Sequence, residues 1–130
     1  MTPRAVTLAA KDLIEITLPW AVVITDNRKS VARNGKVRNT KAYTVAKDNA
    51  HMIACLAVKR QRVASGPVVV CIRAFPPDNV RRDLTNILKL ICDALSGTAF
   101  SDDNQITELT IARDNVDRTN PRVEITVEAL

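Results

Sequence analysis

Three aspartates and a lysine in the second half of the sequence have the side-chain types for metal-assisted chemistry on a phosphodiester. Asp83 opens an apolar-periodic segment, Asp102 and Asp103 are adjacent in the loop that follows it, and Lys89 lies between them, nearly two turns beyond Asp83. Carboxylate oxygens select hard Mg²⁺ or Mn²⁺, which activate water and offset the charge that builds on phosphorus during in-line attack. The Lys89 ammonium then has a place near the scissile phosphate or the leaving oxygen. The same residues have a purely structural reading: Asp is a favoured helix N-cap, and Asp-Asp-Asn is ordinary loop composition. Spacing alone leaves both open.

Other chemistries lack their residues. The sequence has no Gly-rich phosphate loop, no Gly-x-Ser-x-Gly elbow and no Cys-His pairing at useful spacing, which sets aside P-loop, serine hydrolase and zinc readings. His51 has no second His or Cys at ligand spacing and is expected to be a surface or packed histidine. Cys55, Cys71 and Cys92 are odd in number, widely spaced and set among apolar neighbours, and are expected to be reduced core thiols. Trp20, the only tryptophan, is expected to pack rather than to offer a stacking platform.

Charge adds a partner. Residues 1–62 carry 12 Lys/Arg against 4 Asp/Glu and residues 63–130 carry 7 against 10, so the halves stand at +8 and −3 within a total of +5. A basic half beside an acidic half suits a polyanion lying next to a carboxylate cluster that holds cations. Six Lys/Arg fall between Asp26 and Lys41 against one acid, among them Arg28, Lys29, Arg33, Lys36 and Arg38. That stretch reads as a solvated loop or hairpin turning at Asn34 and Gly35, or as a phosphate-binding one. Arg81 and Arg82, beside Asp83, divide the same way.

The elements that must position these groups follow from periodicity. Ile14, Ile16 and Leu18 alternate with polar residues as a half-buried strand over 13–18, which Pro19 ends. Residues 41–62 carry Ala42, Ala46, Ile53, Leu56 and Ala57 without Pro or Gly, and their basic end suits a helix C-terminus. Ser65, Gly66 and Pro67 break that helix, and the run from Val68 to Phe75 predicts a buried central strand stopped by Pro76 and Pro77. Over 83–95, Leu84, Ile87, Leu88, Ile91, Cys92 and Leu95 recur at helical spacing. They leave Asp83, Asn86, Lys89 and Asp93 on an adjacent polar arc of about 120°. Two alternating runs, Ile106 to Arg113 and Arg122 to Glu128, read as a closing hairpin.

At 130 residues, with 46% hydrophobic and 25% charged, the chain is expected to form one domain over 1–130 around one core. No stretch approaches the roughly 18 apolar residues that cross a bilayer, and Met1 to Lys11 lacks a signal-peptide pattern. We therefore expect a cytoplasmic protein without a membrane partner.

Certain ordered motifs resemble a known family. Arg81-Arg82-Asp83-Leu84-Thr85-Asn86-Ile87-Leu88-Lys89, then Asp93-Ala94-Leu95, then Phe100 and Asp102-Asp103-x-Gln105-Ile106 are similar to the signature of the RusA family of Holliday junction resolvases. Leu18-Pro19-Trp20 with Asn27 resembles its opening, so the likeness runs from about residue 14 to the end of the chain. The resemblance implies a small homodimeric, Mg²⁺-dependent endodeoxyribonuclease that binds four-way DNA junctions and makes paired nicks near the crossover. Members are often encoded by phages or prophages. It further implies metal ligation by Asp83 and Asp103 and a functional role for Lys89. One departure is plain: Thr85 stands where the family carries a second catalytic aspartate, and a hydroxyl supplies no anionic ligand. Asp102 is the better substitute, because Asp93 lies about 15 Å along the helix from Asp83.

The expectation is thus an α/β (α+β) protein with a small mixed sheet flanked by two main helices, homodimeric, using Mg²⁺ with Mn²⁺ as substitute. Asp83, Asp103 and Asp102 would hold the metal, and Lys89 would support the transition state. Arg28, Lys29, Arg33, Lys36, Arg38, Arg81 and Arg82 would hold the DNA backbone. The alternative is a junction-binding protein of the same fold whose nuclease chemistry Thr85 has weakened or removed.

Overall fold

The structure, a computed structural model, describes residues 13–23, 29–31, 37–39, 41–58 and 65–130. Strand β1 (Leu13–Pro19) runs into a single helical turn α1 (Trp20–Val23). Two short strands follow, β2 (Lys29–Val31) and β3 (Val37–Asn39), and then the long helix α2 (Lys41–Val58). Next come strand β4 (Val68–Phe75) and helix α3 (Leu84–Leu95). A 3₁₀ turn over Asp103–Gln105 leads into β5 (Ile106–Arg113), and β6 (Arg122–Ala129) completes the chain.

The main sheet has the order β1-β6-β4-β5, with β4 parallel to β5 and antiparallel to β6. It is the expected mixed sheet with two main helices, to which α1 adds a short third. One face is apolar: Ile14, Ile16 and Leu18 of β1, Val123, Ile125 and Val127 of β6, and Val68, Val70, Ile72 and Ala74 of β4 are all buried. Ile87, Leu90, Ile91 and Leu95 of α3 join them in one core cluster with Phe100 and Trp20. Pro19 is tolerated as the last paired residue of β1 because β1 is an edge strand.

The expected hairpin between the last two strands is corrected. β5 and β6 do not pair; β4 lies between them. The chain from Asp114 crosses the end of β4, where the Asp114 N–H donates to the Ala74 carbonyl at 2.7 Å and the Asp117 N–H to Pro76 at 2.8 Å. β6 is thereby delivered to the opposite edge of β4. Arg122 fixes the crossing through Asp117 and Glu124, both at 2.8 Å, with its guanidinium 4.0 Å from the Phe75 ring centroid.

Helix α2 also differs in detail. It extends to Val58, and residues 59–62 of the expected helix lie outside the described residues. It buries Tyr43, Ala50, Ala54 and Val58, while Leu56 is 64% exposed. Cys55 on its outer face is exposed, and Cys71 and Cys92 are half-buried, so the expectation of core thiols fails, most clearly for Cys55. His51 is packed as expected, its Nδ1 at 2.7 Å from the Ala94 carbonyl. Among the described residues no helix is long and apolar enough to cross a membrane.

Candidate functional site

Asp83 sits at the start of α3 because its carboxylate caps the helix. Its Oδ1 accepts from the Thr85 backbone N–H at 3.0 Å and from the Thr85 hydroxyl at 2.7 Å. These two hydrogen bonds, the hydroxyl first, hold the exposed Asp83 carboxyl below its usual range. The N-cap reading is therefore real, and it engages only one carboxylate oxygen. Beside Asp83 a cavity of about 250 Å³ is lined by Trp20, Val23, Arg81, Arg82, Asn86 and Ile87.

The two arginines of this end are not equivalent. Arg82 donates to Asp78 Oδ1 at 2.7 Å, and its guanidinium lies 5.3 Å from the Trp20 ring centroid. Trp20 is 6% exposed, the packing residue the sequence suggests. Arg81 is exposed and has no ion pair among the described residues. Arg113, at the end of β5, donates to the Arg82 carbonyl at 2.7 Å and ties this corner to the sheet.

From its middle onward α3 carries a second cluster. Lys89 Nζ donates to Asp93 Oδ2 at 3.0 Å and to Tyr43 Oη at 3.3 Å, and the Tyr43 hydroxyl itself donates to Asp93 Oδ2. The phenol reaches across from α2 and is 2% exposed. Burial, then the bond to Asp93, pushes Tyr43 up to about 12, and Asp93 draws Lys89 upward. Burial works against ionisation of Asp93, but the bonds from Tyr43 and Lys89 outweigh it and hold the carboxyl below its ordinary range.

Asp102 and Asp103 stand next to that cluster. Asp102 caps the 3₁₀ turn by accepting from the Asn104 N–H at 3.0 Å, and the Gln105 side chain accepts from the Asp102 N–H at 3.0 Å in return. Gln105 also donates to the Gly66 carbonyl at 2.8 Å, which anchors the turn at the start of β4. The two carboxyls influence each other: Asp103 is raised, mainly by its neighbour Asp102, and Asp102 is lowered, first by the Asn104 N–H. The charges of Asp103 and Asp93 also reach Cys92, whose thiol is pushed up chiefly by burial. Asp103 therefore neighbours the last turn of α3.

Within one chain Asp83 and the Asp102-Asp103 pair are strung along α3. Asp83 is at the N-terminus of the 12-residue α3 and Asp103 neighbours the turn that carries Cys92 and Asp93, about 15 Å along the axis. The polar edge between them is continuous, with Lys89 midway. Among the described residues no three His, Cys, Asp or Glu side chains form a metal-binding group. Sequence reading missed Tyr43; the Lys89–Asp93 spacing of four is a signal for half of that cluster.

In the basic segment, β2 and β3 pair antiparallel, with Lys29 opposite Asn39 and Ser30 opposite Arg38, as a hairpin requires. Arg28, Arg33, Lys36, Asn34 and Gly35 lie outside the described residues, as does Asn27.

No curated protein matches the chain. Residues 19–128 match the family described as Endodeoxyribonuclease RusA, a span that takes in the last residue of β1, both main helices, the central strand and every aspartate discussed above. The match extends over nearly the whole chain, and the chain belongs to the RusA endodeoxyribonuclease family.

Proposed function

We propose that this protein is a Holliday junction resolvase, a homodimeric endodeoxyribonuclease that uses a divalent metal to make paired nicks in four-way DNA junctions during recombination and repair. The observation that carries the reading is the polar edge of α3, where Asp83, Asn86, Lys89 and Asp93 follow one another, with Arg81 and Arg82 before them and Asp102-Asp103 beside the other end. Arg81 supplies a cation to the DNA backbone, and Lys89 offers an ammonium to a phosphate lying along the edge. We assign Arg28, Lys29, Arg33, Lys36 and Arg38 as further contacts to the DNA backbone.

The donor chemistry suits Mg²⁺, with Mn²⁺ as substitute. Mg²⁺ is usually held by one or two carboxylates, waters and substrate phosphate. Asp102 and Asp103 are adjacent carboxyls within each other's electrostatic reach, and a cation between them relieves the repulsion. Asp103, with Asp102 assisting, and the free oxygen of Asp83 are the ligands we assign. When bound, the ion supplies positive charge against the phosphodiester and lowers the pKa of a bound water. Because Asp83 and Asp103 stand at opposite ends of α3, a dimer in which each copy completes the other's site accommodates both assignments.

Thr85 supports a second reading. Its hydroxyl occupies the Asp83 oxygen where the family places a carboxylate, which favours a protein that binds junctions and cleaves them slowly or not at all. A labelled four-way junction and a matched duplex, incubated with Mg²⁺, with Mn²⁺ and with chelator, separate the two. Symmetric metal-dependent nicks confined to the junction, abolished in Asp83→Asn with binding retained, are expected. Tight binding without nicks establishes the second reading, and full activity in Asp83→Asn removes Asp83 from the site.

A further inference from the structure

A lysine that acts on a phosphate is useful only if its ammonium is held where the phosphate arrives. Lys89 has four rotatable carbons and is paired with Asp93 at a spacing of four, and an exposed pair of that kind does little to fix a side chain. Here a third group intervenes. Tyr43, from the first turn of α2, is 2% exposed and places its hydroxyl against both partners. The Lys89 nitrogen is 4.9 Å from the Tyr43 ring centroid, so the ring edge and the hydroxyl together bound its movement.

The hydrogen-bond inventory is directional. The tyrosine proton goes to Asp93, and two of the three lysine protons go to Asp93 and Tyr43. Among the described residues the third has no acceptor, and Lys89 retains 38% side-chain exposure, so that proton is available to an acceptor from outside. The same cluster stands within the electrostatic reach of Asp103. The ammonium is thus held by Asp93 and Tyr43 and open on one side.

We infer that Tyr43 and Asp93 are positioning residues for Lys89, a clamp between α2 and α3 that aims its ammonium at the DNA phosphate. The inference rests on the nuclease reading above. The bland alternative is a cross-tie that only joins two helices, and the two differ in what happens once Lys89 is gone.

The test is a double-mutant cycle on the single-turnover cleavage rate of a four-way junction by the full-length protein. Tyr43→Phe keeps the ring and removes the hydroxyl; it is expected to slow cleavage about tenfold with junction affinity little changed. Lys89→Ala is expected to slow it about a hundredfold. In the Lys89→Ala background Tyr43→Phe should then cost less than about twofold, because a positioning residue has nothing left to position. Equal losses in both backgrounds overturn the inference, as does a wild-type rate in Tyr43→Phe.

A second readout does not need activity. The Lys89 side-chain ammonium, held by two acceptors, should give a resolved ¹⁵N–¹H signal near neutral pH that Tyr43→Phe broadens or removes. Absence of that signal in the wild-type protein overturns the clamp itself. A protein that shows the signal but never cleaves junctions overturns the nuclease reading and the positioning role with it, while leaving the clamp as a structural contact.

Discussion

The Thr85 hydroxyl donates to Asp83 Oδ1 at 2.7 Å, and the Thr85 backbone N–H donates to the same oxygen at 3.0 Å. The Thr85 side chain is thus turned toward the neighbouring carboxylate and holds it. Thr85→Asp adds a charge and removes the hydroxyl, while the backbone cap survives. If this corner carries metal, junction cleavage at fixed Mg²⁺ should rise about tenfold or more in Thr85→Asp. Repulsion between the two carboxyls should make the variant slightly less stable without metal and more strongly stabilised by it. Thermal melting with and without Mg²⁺ checks the second half, and an unchanged cleavage rate removes position 85 from the chemistry.

The separation of Asp83 from Asp103 makes a distinct prediction for mixed dimers. Asp83→Asn and Asp103→Asn should each be inactive alone. If a site takes Asp83 from one copy and Asp103 from the other, a dimer of the two variants contains one intact site and one doubly damaged site. Mixing them should therefore restore single-strand nicking of the junction without restoring paired nicks. If each site belongs to one chain, both sites in the mixed dimer are damaged and no nicking returns. A gel that resolves nicked from resolved junction reads both outcomes.

Arg81 and Arg82 should part company on substitution. Arg81 is exposed and unpaired among the described residues, so Arg81→Ala should weaken binding to all DNA sequences alike and lower the salt slope of log affinity by about one. Arg82 is engaged by Asp78 and stacked on Trp20, so Arg82→Ala should cost stability as well as affinity. Binding titrations at several salt concentrations, set beside melting curves, distinguish the two.

Much of this arrangement is legible in the sequence, and the rest is not for identifiable reasons. The alternation Ile14-Ile16-Leu18 and the spacing of Ile87, Ile91 and Leu95 each report a buried face, and those residues are buried. Alternation says which face a strand buries but not which strand lies beside it, so Arg122 to Glu128 reads as the partner of Ile106 to Arg113 when its partners are β4 and β1. On α2 the small Ala50 and Ala54 face inward and Leu56 faces out, a choice made by close helix packing that hydrophobicity alone does not reveal. Asp83 and Lys89 are visible as candidates because they fall on one short motif. Tyr43 is invisible because its partners are 46 and 50 residues away.

The Tyr43 phenol gives the clamp a signature in alkali. Burial and the bond to Asp93 raise it from 10.0 to about 12, and Lys89 is raised from its ordinary value mainly by Asp93. A group whose folded pKa exceeds its unfolded one binds protons more tightly when folded, so its contribution is full below the unfolded pKa and is lost as pH climbs through the folded one. Between about pH 10 and 12 the unfolded chain sheds the tyrosine proton while the folded protein keeps it, and stability falls with pH in that window. Tyr43→Phe has no phenol to titrate. Its stability at pH 7 should be lower by about 1 kcal/mol for the lost hydrogen bond, but its decline between pH 10 and 12 should be shallower than that of the wild type. Urea melts at pH 8, 10 and 11 measure the difference. Parallel declines in the two proteins would mean that the buried phenol does not hold its proton through Asp93.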